Sequence, residues 1–274
     1  MGRLEATFAR LAGKRRKALV AYLCVGDPSA DVSVACALAC VRAGADVLEL
    51  GVPFSDPAAD GPAIAAASER ALANGGGLAT TLEAARRIRA ETDVPIVLFG
   101  YYNPIFVSGE ATVVARAADS GVDAFLVVDL PVDEPSELRT RAAARGLSMV
   151  PLLSPTTTEA RLEVFRRAFA TASPGFLYCV SVAGVTGSNV APLAEATARA
   201  GHLRTVLGVP SVVGFGIDSP ANARVAARDA DGIVVGTAIV RALVEGPGDA
   251  ADGIARVTDL VGRIRAALDG SAAA

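Results

Sequence analysis

Two carboxylates eleven residues apart, Glu49 and Asp60, are the side chains of this sequence best suited to moving protons. Glu49 interrupts the apolar run Val47-Leu48-Glu49-Leu50. An ionised carboxylate buried without a partner is costly, so such a group pairs, shifts its pKa or takes part in chemistry. Asp60 stands before Gly61-Pro62, where a helix can begin with proline in its first turn. An aspartate at such a boundary also commonly caps the helix. On these residues alone, a paired glutamate plus a capping aspartate competes with a working acid–base pair.

Other chemistries are narrowed by what the chain lacks. Its only lysines, Lys14 and Lys17, precede the first strand-like run, which excludes an imine-forming lysine at a strand end. The single histidine, His202, falls in a helical segment far from both acids, so neither a Ser–His–Asp set nor a histidine-rich metal site is expected. The four cysteines form no CxxC pair and read as reduced core thiols of a cytoplasmic protein. Three glycine loops, 184–187, 214–217 and 236–237, suit an anion cradle, because glycine lets backbone N–H groups approach an oxyanion; ordinary tight turns are the alternative. What remains is carboxylate acid–base chemistry on a phosphorylated substrate that carries its own electron sink.

The elements that must position these groups come from hydrophobic periodicity. Apolar runs at residues 18–24, 46–51, 95–100, 124–129, 148–153, 176–181, 211–215 and 232–236 alternate with segments of helical spacing. Eight βα units in one chain of 274 residues predict an α/β fold, a (β/α)8 TIM barrel, with a doubly wound open sheet as the alternative. A helix over 4–11 precedes the count and is placed to plug the barrel's bottom, and a helix over 252–268 closes it. A short helix after the eighth strand, from Thr237, is expected at the phosphate turn. The whole of 1–274 is expected to be one domain with its core over about 3–268.

The polar and glycine residues gather at the strands' C-terminal ends, where barrels do chemistry. They include Gly26-Asp27-Pro28, Glu49, the loop of Asp60, Tyr101-Tyr102-Asn103-Pro104 and Asp129-Leu130-Pro131. With 52% hydrophobic residues and a net charge of −3, the chain predicts no nucleic-acid partner. No apolar run is long enough for a bilayer, so no membrane partner is expected.

The run Leu48-Glu-Leu-Gly-Val-Pro-Phe-Ser-Asp-Pro-Ala-Ala-Asp-Gly-Pro62 closely resembles the signature of the α subunit of tryptophan synthase. Gly26-Asp-Pro28, Tyr102-Asn-Pro104, Gly184-Val-Thr-Gly187, Gly214-Phe-Gly-Ile217 and Gly236-Thr-Ala-Ile-Val240 match in order, so the resemblance spans about residues 3–266. It implies reversible retro-aldol cleavage of indole-3-glycerol phosphate to indole and glyceraldehyde 3-phosphate, in tryptophan biosynthesis. By this resemblance Glu49 is the general acid/base and Asp60 accepts from the indole N–H. Tyr178 would orient Glu49 or line the pocket, Tyr22, Ile64 and Phe215 would wall the indole, and Thr186 would hold Asp60 on loop closure. Gly187, Gly216, Gly236 and Thr237 would bind the phosphate.

The resemblance also implies a β-subunit partner in an α2β2 tetramer, with pyridoxal phosphate in the partner and no cofactor or metal in this chain. Segments 53–57 and 102–106 are the expected contact surfaces. Val182-Ala183 stands where some members carry Arg-Ser, and the loop that follows is short. A stand-alone lyase releasing free indole, a sugar-phosphate isomerase or epimerase on the same barrel, and a non-catalytic activating partner are the alternatives.

Overall fold

The computed structural model describes residues 2–134, 137–154, 156–180, 190–214 and 216–270. The chain begins with α1 (Arg3–Gly13) and then alternates strand and helix: β1 (Ala18–Cys24), α2 (Ala30–Arg42), β2 (Val47–Gly51), α3 (Pro62–Ala73), α4 (Leu78–Arg89) and β3 (Ile96–Gly100). Next come α5 (Tyr102–Ser108), α6 (Glu110–Asp119), β4 (Ala124–Val127), α7 (Glu137–Ala144), β5 (Ser148–Met149), β6 (Leu152–Leu153) and α8 (Glu159–Phe169). The chain ends with β7 (Leu177–Val180), α9 (Val190–Leu207), β8 (Ser211–Gly214), α10 (Pro220–Ala227), β9 (Gly232–Val235), α11 (Thr237–Val244) and α12 (Ala250–Gly270).

All pairings are parallel, in the order β5-β4-β3-β2-β1-β9-β8-β7-β6. The run 148–153, expected as one strand, is two. Pro151 has no N–H to continue a ladder, and the segment changes partners around it. Ser148 and Met149 pair with β4, whereas Leu152 and Leu153 pair with β7. Both ends of the sheet are thus one stretch of chain, which closes the ring as a (β/α)8 barrel.

Strand residues alternate between two apolar clusters because successive side chains leave opposite faces. Ala18, Val20, Tyr22 and Cys24 face the interior with Val47, Val97, Leu126, Tyr178, Val212 and Val234. Leu19, Ala21, Leu23, Leu48, Leu50 and Phe125 face the helical layer. With both faces covered, the strands read as nearly unbroken apolar runs, as parallel strands do.

α1 closes the bottom. Leu4, Phe8 and Leu11 enter the interior cluster, and the Phe8 ring lies 5.4 Å from that of Phe176. Ser148 and Ser173 hydroxyls donate to Glu5 at 2.8 and 2.6 Å, pinning the plug beneath the strand starts. Lys17 sits at this end too, donating to the Ala230 carbonyl at 2.6 Å. The segment Tyr102-Asn103-Pro104, which follows β3 at the rim, is the start of α5. Its first amide donates to the Asp129 carboxylate at 2.7 Å, so the cap comes from the next strand's loop and not from the local sequence. Among the described residues no helix is long and apolar enough to cross a membrane.

Candidate active site

Alternation along β2 puts Glu49 on the interior face with Val47, because Leu48 and Leu50 point to the helices. In register it lies between Tyr22 of β1 and Val97 of β3. Glu49 is 0% exposed. Neither carboxyl oxygen has a hydrogen-bond partner among the described residues. Burial alone pushes its pKa from the usual 4.5 up to about 8, since nothing compensates the lost hydration of the charged form. Glu49 is therefore mostly protonated at neutral pH. Tyr178 makes no hydrogen bond to it, so its expected orienting role has no bond behind it in this structure.

Asp60 lies beyond the end of β2, in a loop folded by two local turns, Ala58 N–H to Asp56 O and Asp60 N–H to Pro57 O, each 2.9 Å. It does not cap α3. The cap is Gly61, with no side-chain bond, and Pro62 takes the first helical position. The Asp60 carboxylate instead accepts from the Tyr101 hydroxyl at 3.2 Å, and that hydroxyl accepts from Ala59 N–H at 2.9 Å. Burial raises the Asp60 pKa from 3.8 to about 6, with the Tyr101 bond opposing the rise. The two acids are thereby set apart: one neutral, one mostly ionised at pH 7, the condition for distinct acid and base roles.

Two tyrosines stand close to the pair. Tyr22 and Tyr178 are buried, which raises both phenol pKa values well above the ordinary range, and the charges of Glu49 and Asp60 add to the rise in each. Their hydroxyls lie over strand-end glycines. A Cβ at Gly51 would overlap Tyr22 Oη, and one at Gly214 would overlap Tyr178 Oη. Tyr22 also packs edge-on to Phe99, with centroids 5.2 Å apart. Ile64, in the first turn of α3, packs against the interior cluster.

On the other side of Tyr22 lies Gly236, whose Cβ position is 3.4 Å from Tyr22 Cδ1. Gly236 is the N-cap of α11, and Thr237 its first residue. Helix N-termini leave amides without intrahelical partners and carry partial positive charge, which suits an anion. Gly216 is exposed after β8 at φ 67°, and Asn222 Nδ2 donates to its carbonyl at 3.4 Å. Thr186, Gly187 and Phe215 lie outside the described residues, as do Val182 and Ala183.

Tyr101 is a site residue that no motif marks, and its place just past β3, the neighbour of β2, is the one signal that points to it. Arg70 is a second such residue. That side chain grips the almost fully buried Asp27 through two bonds of 2.8 Å, tying α3 to the loop after β1. Asp27 is thereby occupied in holding the rim together. His202 faces outward and pairs with Glu159 at 3.0 Å. Among the described residues no cluster of His, Cys, Asp and Glu could hold a metal ion, and all four cysteines are free and buried.

Residues 8–269 match the family model described as tryptophan synthase alpha chain. The chain is 47% identical over 271 residues to the tryptophan synthase alpha chain of Xanthomonas axonopodis pv. citri (strain 306), covering 98% of this chain and 99% of that one. It is 46% identical over 270 residues to that of Xylella fastidiosa (strain M12), with 98% and 99% covered. Among solved structures, tryptophan synthase subunit alpha from Legionella pneumophila str. Paris superposes with a TM-score of 0.87 at 34% identity, covering 98% and 99% of the two chains. A Mycobacterium tuberculosis tryptophan synthase chain gives 0.86 at 34% identity, with 97% and 98% covered.

Proposed function

Because the chain belongs to the tryptophan synthase alpha chain family, we propose that it is a carbon–carbon lyase that cleaves indole-3-glycerol phosphate reversibly to indole and glyceraldehyde 3-phosphate. The observation that carries this reading is Glu49: wholly buried, without a hydrogen-bond partner among the described residues, and raised to about 8. Such a carboxyl begins the cycle holding a proton. It gives that proton to ring carbon C3, and the ring becomes an indoleninium whose positive charge faces the Asp60 carboxylate. Glu49, now a carboxylate, takes the proton of the side-chain hydroxyl next to the ring. The bond from C3 to that carbon breaks, its electron pair returns to the ring to neutralise the nitrogen, and the hydroxyl carbon leaves as an aldehyde. Glu49 ends protonated as it began, so one carboxyl serves as acid and then as base.

The remaining parts have supporting roles in this reading. Tyr22, Ile64, Tyr178 and Phe215 enclose the indole, and Thr186 closes over Asp60. Gly187, Gly216, Gly236 and Thr237 hold the phosphate by backbone amides and one hydroxyl. The lysines give no competing imine route, since Lys17 is bonded at the bottom of the barrel and Lys14 caps α1.

A β subunit carrying pyridoxal phosphate takes the indole in this scheme, within an α2β2 tetramer in the cytoplasm, as a step of tryptophan biosynthesis. On α5, Phe106 and Val107 are 64% and 77% exposed, an apolar surface that a partner chain would cover. The test follows indole release from indole-3-glycerol phosphate with and without a β subunit. Glu49→Gln and Asp60→Asn are each expected to lower it by about 10²-fold or more. Parental rates in both folded variants would remove the mechanism.

A further inference from the structure

The seam where the barrel closes contains a cavity of about 260 Å³. Its origin is the strand break at Pro151. β4 is paired to β5 only through Ala124↔Ser148 and Phe125↔Met149, and β6 pairs with β7. Beyond Phe125 the chain after β4 and the chain of β6 diverge, and the space between them is roofed by α7 and α8. Val127, Met149, Leu152 and Phe165 are among the apolar walls, and Arg139, Arg161 and Asp129 supply the charges.

Two of those charged groups already have partners in the fold. Arg161 is gripped by Asp133 through bonds of 3.0 and 2.7 Å, and Asp129 accepts the first amide of α5. Arg139 differs. Among the described residues no carboxylate lies within ion-pair distance of it, and its one hydrogen bond there is a 3.4 Å contact to the Val132 carbonyl. Its burial is partial yet enough to pull its pKa down, with no acid pulling back. A guanidinium offers five N–H donors in a plane, and one that is half-desolvated and unpaired is costly to keep. Beside a cavity with one apolar wall it presents the pairing that organic carboxylates fill: a fork for two oxygens and an apolar face for the body.

This space is not the catalytic pocket. Glu49, Asp60, Tyr22 and Tyr178 do not line it. Val128 and Leu152 do, and both also pack against the interior cluster, so they form the wall between the two spaces. The volume sits just below the range of roughly 300–1,000 Å³ usual for ligand pockets, which limits the occupant to about one ring.

We propose that the seam cavity binds a compact organic monoanion, an aromatic or branched aliphatic carboxylate, with its charge on Arg139 and its body against Met149, Leu152 and Phe165. The probe is benzoate, titrated into the full chain by calorimetry, with benzyl alcohol as the neutral counterpart on the same unmodified chain. Saturable benzoate binding is expected, with benzyl alcohol weaker by about tenfold or more, as for loss of a charge-assisted bond. Arg139→Gln should weaken benzoate by a similar factor, Arg139→Lys by less, and indole-3-glycerol phosphate added to the Glu49→Gln chain should not displace it. Equal binding of benzoate and benzyl alcohol, no effect of a folded Arg139→Gln, no binding at all, or displacement by the indole substrate would each overturn the proposal.

Discussion

Replacing Glu49 by glutamine should give the protein a stability advantage over the parent that grows with pH while it sharply lowers turnover, and the size of the gain follows from burial. The unfolded chain ionises Glu49 near 4.5, whereas the folded chain does so only at about 8. Below 4.5 both states carry the proton and the group contributes no pH dependence. Between 4.5 and 8 the unfolded state releases a proton that the folded state keeps, so stability falls by about 1.4 kcal/mol per pH unit. Above 8 the loss levels off at roughly 5 kcal/mol. Glutamine fills the same space without ionising, so Glu49→Gln lacks this slope. Its amide is as short of partners as the protonated carboxyl it replaces, so the two desolvation costs nearly cancel.

Urea unfolding of parent and variant at pH 5, 6, 7 and 8 measures the difference directly. The advantage of Glu49→Gln should widen by roughly 1 kcal/mol or more per pH unit across that range, while indole release falls by about 10²–10⁴-fold. A gap independent of pH would mean that Glu49 ionises in the folded chain as it does in water, and the acid role would lose its basis. On the proposed mechanism the glutamate costs stability for the sake of chemistry, a trade-off common at working sites.

Tyr101→Phe removes the hydrogen bond that opposes the rise in the Asp60 pKa, so the acidic limb of kcat/KM, expected near 6, should move upward while the alkaline limb stays. Gly214→Ala places a methyl against the Tyr178 hydroxyl and should lower stability by about 1–3 kcal/mol in denaturant titrations. Phe106→Asp with Val107→Asp, both exposed on α5, should leave the free chain's fold and indole release unchanged and weaken its activation by a β subunit. Unaltered activation would move the contact surface elsewhere.

The legible part of the fold was what local pattern controls. Apolar runs marked every strand because both faces of the sheet are covered, and the alternation around Glu49 was enough to aim it inward once a barrel was assumed. What stayed hidden depends on partners far along the chain. Pro151 was visible, yet its effect, a strand divided between β4 and β7, needs the closed ring. Tyr102-Asn103-Pro104 reads as a turn by composition but becomes a helix when Asp129 caps it from 27 residues away. Proximity to Pro62 makes a helix cap one of two readings of Asp60. Gly61 takes that place, and the carboxylate goes to Tyr101, 41 residues on.

The two acids differ in how firmly they are held, and this difference assigns them different sensitivities to a partner. Glu49 is fixed in a strand with neighbours paired on both sides, and its high pKa comes from the barrel interior alone. Asp60 sits in a loop whose Ser55, Asp56, Ala58 and Ala59 are exposed, held by two turns and one tyrosine. A chain docking on that loop would strip water from Asp60 and leave Glu49 as it is. Desolvation raises a carboxyl pKa, so adding a β subunit should shift the acidic limb of kcat/KM upward from about 6 and leave the limb near 8 in place. Rate profiles of the chain with and without the partner, over pH 5 to 9, decide it. A partner that moved the alkaline limb and spared the acidic one would show coupling through the barrel strands instead of the loop, and the division of labour drawn from these two environments would be wrong.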